Sequence, residues 1–345
     1  MKKLALILLI IFLAAFSTSA FSYEIQTIAN IPLTDNLTGI SINPSTETAV
    51  AISSETKTLY MIDTQTNTIT DEIPLKIIPT GVAVDPKRNH VIVSSSDGSL
   101  HFFDFETGSV VKTVSVKRHS DQTKGHSELD SESITSIHSI AINPQNDLLY
   151  IGNSNSLMMM DLNTENIIKE TPLSSTVIGM DIDPSLGYLL MIMEGEDGIS
   201  TYNLETLEFI TEINPTFPSI KRGLRGVSVN PSTHIAVLTS PSDNSITIIS
   251  LSDILHPASG ISSSQLPNFS TSQLSGTVYP ASDIGLNEPT AVAIDPTRNI
   301  ALITHKDGIA EVKLENPVPQ INLLIPDSAR SGDSGFMLSI EGSKF

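Results

Sequence analysis

Gly39-Ile40-Ser41-Ile42-Asn43-Pro44 is the stretch that decides the fold, because the chain repeats it five more times. The other copies are GVAVDP at Gly81–Pro86, SIAINP at Ser139–Pro144, GMDIDP at Gly179–Pro184, GVSVNP at Gly226–Pro231 and AVAIDP at Ala291–Pro296. Each begins on a small residue, alternates apolar positions and ends with Asn or Asp before Pro. Alternation is the period of a strand. Asx-Pro opens a turn, since proline fixes φ and the preceding side chain can accept hydrogen bonds from the backbone beyond it. Each copy therefore predicts a strand that runs into a turn.

The surroundings are equally regular. After a short turn comes a second apolar run, at Ala49–Ser53, His90–Ser95, Leu148–Asn153, Tyr188–Met193, Ile235–Ser240 and Ile300–His305. Polar turns follow, among them the hairpin dipeptides Asp97-Gly98, Asp197-Gly198 and Asp307-Gly308. Third strands are predicted at Leu59–Asp63, Leu100–Asp104, Leu157–Asp161, Ile199–Asn203, Ile246–Ser250 and Ile309–Lys313. Fourth strands fit Thr68–Leu75, Ser109–Val116, Asn166–Leu173 and Thr206–Ile213. A four-stranded meander cannot bury both of its faces alone, and radial stacking of such units solves the problem. The expected fold is all-β, a six-bladed β-propeller, with seven blades as the alternative.

The anchoring prolines lie 42, 58, 40, 47 and 65 residues apart, so the second and fifth intervals carry insertions, Lys117–Glu132 and Leu251–Gly276. Both are Ser-rich and polar and read as loops, although the second has room for a degenerate seventh blade. Thr277–Pro280 is a candidate fourth strand for the fifth unit. The sixth unit has three strands before Pro317, and the run Tyr23–Leu33 stands unassigned ahead of the first phrase. If that run completes the last blade, the ring closes with no spare strand.

On these residues the chain resembles the YVTN/NHL-type β-propeller repeats of bacterial secreted and surface proteins, over roughly Tyr23 to Glu315. The resemblance implies architecture and little about activity, since this superfold hosts unrelated functions. With no Trp in the chain, the WD dipeptide of related repeats is absent. Beyond Asn316 the text changes. A Pro-flanked strand, a break at Pro326, a Gly-Asp-Ser-Gly turn and a strand over Phe336–Ile340 resemble the opening of an IPT/TIG-type immunoglobulin-like domain. A full domain of that class takes about 100 residues, so residues 317–345 are expected to be its incomplete N-terminal part.

Residues 1–22 read as a secretory signal peptide: Lys2 and Lys3, an apolar run Leu4–Phe16, then small residues around Ala20 and Ser22. The propeller is then expected over 23–316. The whole chain has 19 Lys+Arg, 38 Asp+Glu, a net charge of −19 and no Cys. That excludes disulfides, cysteine-ligated zinc and Cys nucleophiles. The acidic balance argues against nucleic acid, and no membrane association is expected once the signal is removed. Localisation is expected to be periplasmic, cell-surface or extracellular.

In a propeller the inner strands converge on an axial channel, and ligands meet one of its mouths. The small residues Gly39, Gly81, Ser139, Gly179, Gly226 and Ala291 are explained by crowding at the axis. One residue earlier lie Thr38, Thr80, His138, Ile178, Arg225 and Thr290, and the second-strand ends add Ser53, Ser95, Asn153, Met193, Ser240 and His305. From these, Thr38, Thr80, His138, Arg225, Thr290, Asn153 and His305 form the expected ligand-binding mouth. Lys117, Arg118, Lys221, Arg222 and Arg225 concentrate positive charge on two loops and form the expected anion-binding set, suited to a carboxylate, phosphate or acidic polysaccharide. No catalytic residue, metal site or cofactor is expected. The partner is expected to be a protein or glycan, and the reading is a binding or scaffold module. The alternative is a channel-site enzyme, such as a calcium-dependent lactonase-like hydrolase or a quinoprotein, for which the mouth offers no carboxylate cluster.

Overall fold

A computed structural model describes residues 23–116, 136–213, 223–251 and 276–315, together with two later strands, Gln320–Ile325 and Ser339–Ser343. Two compact units are present. Ile25–Leu314 is the propeller, and the other unit holds the two later strands. In that second unit the two later strands pair antiparallel. The proposed signal peptide lies outside the described residues. Among the described residues no helix is long and apolar enough to cross a membrane.

The propeller consists of six four-stranded sheets, each paired in the order inner, second, third, outer. The inner strands are Leu37–Asn43, Pro79–Asp85, Ser139–Asn143, Val177–Asp183, Gly226–Asn230 and Val292–Asp295, which number the blades 1 to 6. Every one is a copy of the repeated phrase. The outer strand of blade 5 is Gly276–Pro280, supplied after the long insertion. The outer strand of blade 6 is Glu24–Pro32, from the opposite end of the chain, so the ring is six blades closed by its own N-terminal strand. The closing strand is held by side chains as well as by the sheet. Asn30 Oδ1 lies 3.3 Å from His305 Nε2, and Thr27 donates to the Ile284 carbonyl.

The phrase folds as it does for a local reason. Asn43, Asp85, Asn143, Asp183, Asn230 and Asp295 are at most 3% exposed. In each, Oδ1 accepts the backbone N–H two residues on, as in Asn143 from Gln145 and Asp183 from Ser185. Four residues beyond each anchor the backbone enters the left-handed region, at Glu47, Asn89, Asp147, Gly187, His234 and Asn299. The third-strand ends Asp63, Asp104, Asp161 and Asn203 cap their own turns in the same way, which accounts for these residues without a metal.

Alternation along the strands sorts the side chains between neighbouring blades. Ala83, Ile92, Leu100 and Phe102 of blade 2 pack with Ile140, Leu149, Ile151 and Met158 of blade 3. The opposite face of blade 3, with Ala141, Tyr150 and Leu157, packs with Met180, Leu189 and Met191 of blade 4. The seam between blades 6 and 1 has the same build, with Leu302 and Ile309 against Ala51 and Tyr60. Polar staples line the Asx-turn end of the ring. Arg88 joins Asp85 to Asp147 across blades 2 and 3, and Arg298 joins Asp295 to Thr64 across blades 6 and 1. Burial alone would raise the Asp295 carboxyl, but hydrogen bonds from Thr297 and Arg298 outweigh it and leave it lowered. Asp147, held chiefly by Lys87, is lowered to about 2.

Candidate functional site: the axial channel

The inner strands enclose a channel of about 350 Å³, lined by all six repeated phrases. Its length is read directly from the phrase. One end carries the residues that enter the inner strands, and the other carries the six anchor prolines, Pro44, Pro86, Pro144, Pro184, Pro231 and Pro296. All six small residues of the sequence reading line the wall. Crowding explains two of them in numbers. A Cβ on Gly179 would lie 2.6 Å from the Arg225 carbonyl oxygen, and one on Gly226 would lie 2.8 Å from that of Thr290.

Of the expected mouth residues, Thr38, Thr80, His138 and Arg225 line the channel, and Ile178 lies in the same rim. Thr38, Thr80 and Ile178 sit where the pairing of inner and second strands slips, between Leu37 and Gly39, Pro79 and Gly81, and Val177 and Gly179. A bulge inserts one unpaired residue and re-aims its side chain. The hydroxyls nevertheless have partners behind the strand: Thr80 Oγ1 lies 3.0 Å from Ser94 Oγ, and Thr38 donates at 3.4 Å to the Ile52 carbonyl. His138 lies 3.0 Å from Ser154 Oγ, and burial lowers its pKa. Arg225 is exposed, held by its backbone N–H to the Thr239 carbonyl, and makes no ion pair with any described residue.

Three expected mouth residues are placed elsewhere. Thr290 turns its hydroxyl to the Leu37 carbonyl of blade 1, at 3.0 Å, and to Thr304. Asn153 is spent on its own turn, accepting from the backbone of Asn155 and Ser156. His305 is buried in the ring closure beside Asn30, where desolvation lowers its pKa. Second strands lie behind inner ones as seen from the axis, so their ends do not reach the channel. Lys117, Arg118, Lys221 and Arg222 lie outside the described residues, and Arg225 is the member of the anion-binding set that can be placed.

One channel group was passed over in the sequence although it stands inside the repeated phrase. Asp181 occupies the position filled by Ser41, Ala83, Ala141, Ser228 and Ala293 in the other blades. It is the one carboxylate among the described residues lining the channel. Its Oδ2 accepts from Ser228 Oγ at 2.9 Å and from the Val229 N–H at 2.8 Å, both in blade 5, while Oδ1 accepts from the Ile182 N–H at 2.8 Å. Desolvation outweighs these bonds and, with repulsion from Asp183, raises the carboxyl to about 6. The signal that could have found it is the mismatch of a charged residue in a column otherwise made of Ser and Ala. Among the described residues no group of three or more His, Asp or Glu could hold a metal ion.

Comparisons place the fold and nothing finer. No family model matches the chain, and no curated protein matches it. Among solved structures, the chain resembles Kuenenia stuttgartiensis hydrazine synthase at 13% identity and a TM-score of 0.55, over 84% of this chain and 97% of that one. At that identity the likeness is one of architecture, and the chain is an all-β, six-bladed propeller.

Proposed function

We propose that this protein is an exported binding or scaffold module that recognises a protein or glycan partner at the channel mouth carrying Thr38, Thr80, His138 and Arg225. The observation that carries this reading is the convergence of four blades on one rim, with an exposed guanidinium that pairs with no described residue among hydroxyl and imidazole groups. A propeller supports a binding, scaffold or channel-site role in general. The sign of the charge narrows it, because Arg225, with Lys221 and Arg222 just before it in the sequence, focuses positive potential on a chain of net charge −19. Acidic glycans and acidic peptides are the matching chemistry, and Arg recognises carboxylates through two parallel hydrogen bonds.

Export rests on the signal-like residues 1–22, and the surface role on the YVTN/NHL-type repeat together with the IPT/TIG-like text after Asn316. The channel-site enzyme is the second reading, favoured by Asp181 alone. A single carboxylate falls short of the several oxygen ligands a hard cation takes. The hydrazine synthase likeness brings no activity with it.

The test is a screen of anionic glycans and acidic peptides against the mature chain. The expected result is a ligand whose affinity falls about tenfold or more in Arg225→Ala, equivalent to loss of a charge-assisted hydrogen bond. Binding that is unchanged in both Arg225→Ala and His138→Ala would remove the mouth from consideration.

A further inference from the structure

Asp181 does a structural job that other blades do without charge. In blade 1, Ser41 Oγ accepts the Val84 N–H of the next blade at 3.1 Å, and in blade 5, Ser228 Oγ accepts the Ile294 N–H at 3.1 Å. Asp181 does the same for Val229. Blades 2, 3 and 6 place alanine at the position, so the ring tolerates having no acceptor there at all. A carboxylate at this point therefore exceeds what the fold requires.

Among the described residues the excess charge has no counter-ion. No described Lys, Arg or His lies within ion-pair distance of Asp181. The flanking inner strands, Ser139–Asn143 and Gly226–Asn230, carry no titratable side chain. On its own blade the neighbours are Asp183, of the same sign, and Tyr188. Arg225 is level with Ile178 at the rim, and three residues of strand set it roughly 10 Å from Asp181 along the axis. Holding an ionised carboxylate away from bulk water without an opposite charge is unfavourable. The group is nonetheless not sealed, since it keeps partial exposure and lines the lumen. Three of its roughly four lone-pair positions are taken, which leaves one free on Oδ1.

We propose that the channel binds a small organic ammonium ion, with Asp181 as its counter-ion and the partly exposed apolar lining, Ile42 and Ile142 among it, around its hydrocarbon body. A lumen of about 350 Å³ with polar and apolar lining and a single oriented carboxylate among the described residues fits such a ligand. A hard divalent cation fits poorly, because the remaining side-chain oxygens at this depth are Ser41 and Ser228, and Ser228 is turned to Asp181. The site is separate from the rim and does not depend on what the rim recognises.

The experiment is thermal unfolding of the mature protein with n-butylammonium chloride above neutral pH, with n-butanol, sodium chloride and calcium chloride as parallel additions. Butylammonium is expected to raise the unfolding midpoint saturably in the wild type and in Arg225→Ala. In Asp181→Ser, which restores the residue of blades 1 and 5, and in the isosteric Asp181→Asn, the apparent affinity is expected to fall at least about tenfold. Equal stabilisation of the Asp181 variants, no stabilisation of the wild type, a match by n-butanol or a response to calcium alone would each overturn the proposal. Loss of the butylammonium effect in Asp181→Asn with rim binding intact would support the proposal. Loss of rim binding with the effect intact would count against the mouth and leave this site standing.

Discussion

Replacing Gly308 with valine is expected to open the ring, lowering stability by at least about 3 kcal/mol and broadening the unfolding transition. Two independent effects act at this residue. Its φ of 141° lies in the region that L side chains rarely adopt, and a Cβ there would sit 2.1 Å from the Ile31 carbonyl oxygen and 2.9 Å from the Leu33 nitrogen. Both contacts are with the N-terminal segment that completes blade 6, and the neighbouring Asp307 carbonyl accepts the Leu33 N–H at 3.2 Å. A side chain at 308 therefore pushes off the strand that joins the two ends of the ring. Without it, an edge of blade 6 is unpaired and blade 1 loses Ile31 and Leu33 from its shared core. Chemical denaturation compares the two proteins. A loss below about 1 kcal/mol would mean that Glu24–Pro32 is not the clasp.

Asp181→Ser is expected to stabilise the protein above pH 7 and to give no gain below pH 4. The folded carboxyl titrates at about 6, above its ordinary 3.8, so the folded state holds this proton more tightly than the unfolded chain does. The stability this confers is complete below 3.8 and is lost as pH rises through 6. Above that pH the ionised group costs about 3 kcal/mol. Serine removes that cost and can still accept the Val229 N–H, as Ser41 accepts that of Val84. The bond to the Ile182 N–H is given up, at about 1 kcal/mol. The net expectation is a gain of roughly 2 kcal/mol near pH 8 that vanishes or reverses near pH 4. Denaturation of both proteins at the two pH values reads it, and a difference that does not change with pH would show that Asp181 is not the titrating group.

Most of the fold was legible because each blade announces itself twice. The Asx-Pro anchor and the apolar run that follows a short turn fix where an inner strand stops and the second begins, as at Asn143 and Leu148. The closing strand could be inferred from counting, since the sixth unit lacked one strand and the N-terminus offered one. The site was less legible, for geometric reasons. Thr38 and Thr80 reach the channel because a bulge re-aims them, and no sequence pattern announces that slip. His305 and Asn153 end second strands, which topology sets behind the inner ones. Asp181 was hidden by its own repeat, because reading GMDIDP as one more strand draws attention to the alternation rather than to the one charged residue facing the next blade.

The channel is built around a carboxylate that no charge among the described residues balances. The most direct measurement is the pH titration of the Asp181 carboxyl carbon by 13C NMR, identified by its absence from Asp181→Ser, with and without n-butylammonium. The expected midpoint is about 6, and it falls when the amine is bound. A midpoint near 3.8, unmoved by the amine, would contradict it.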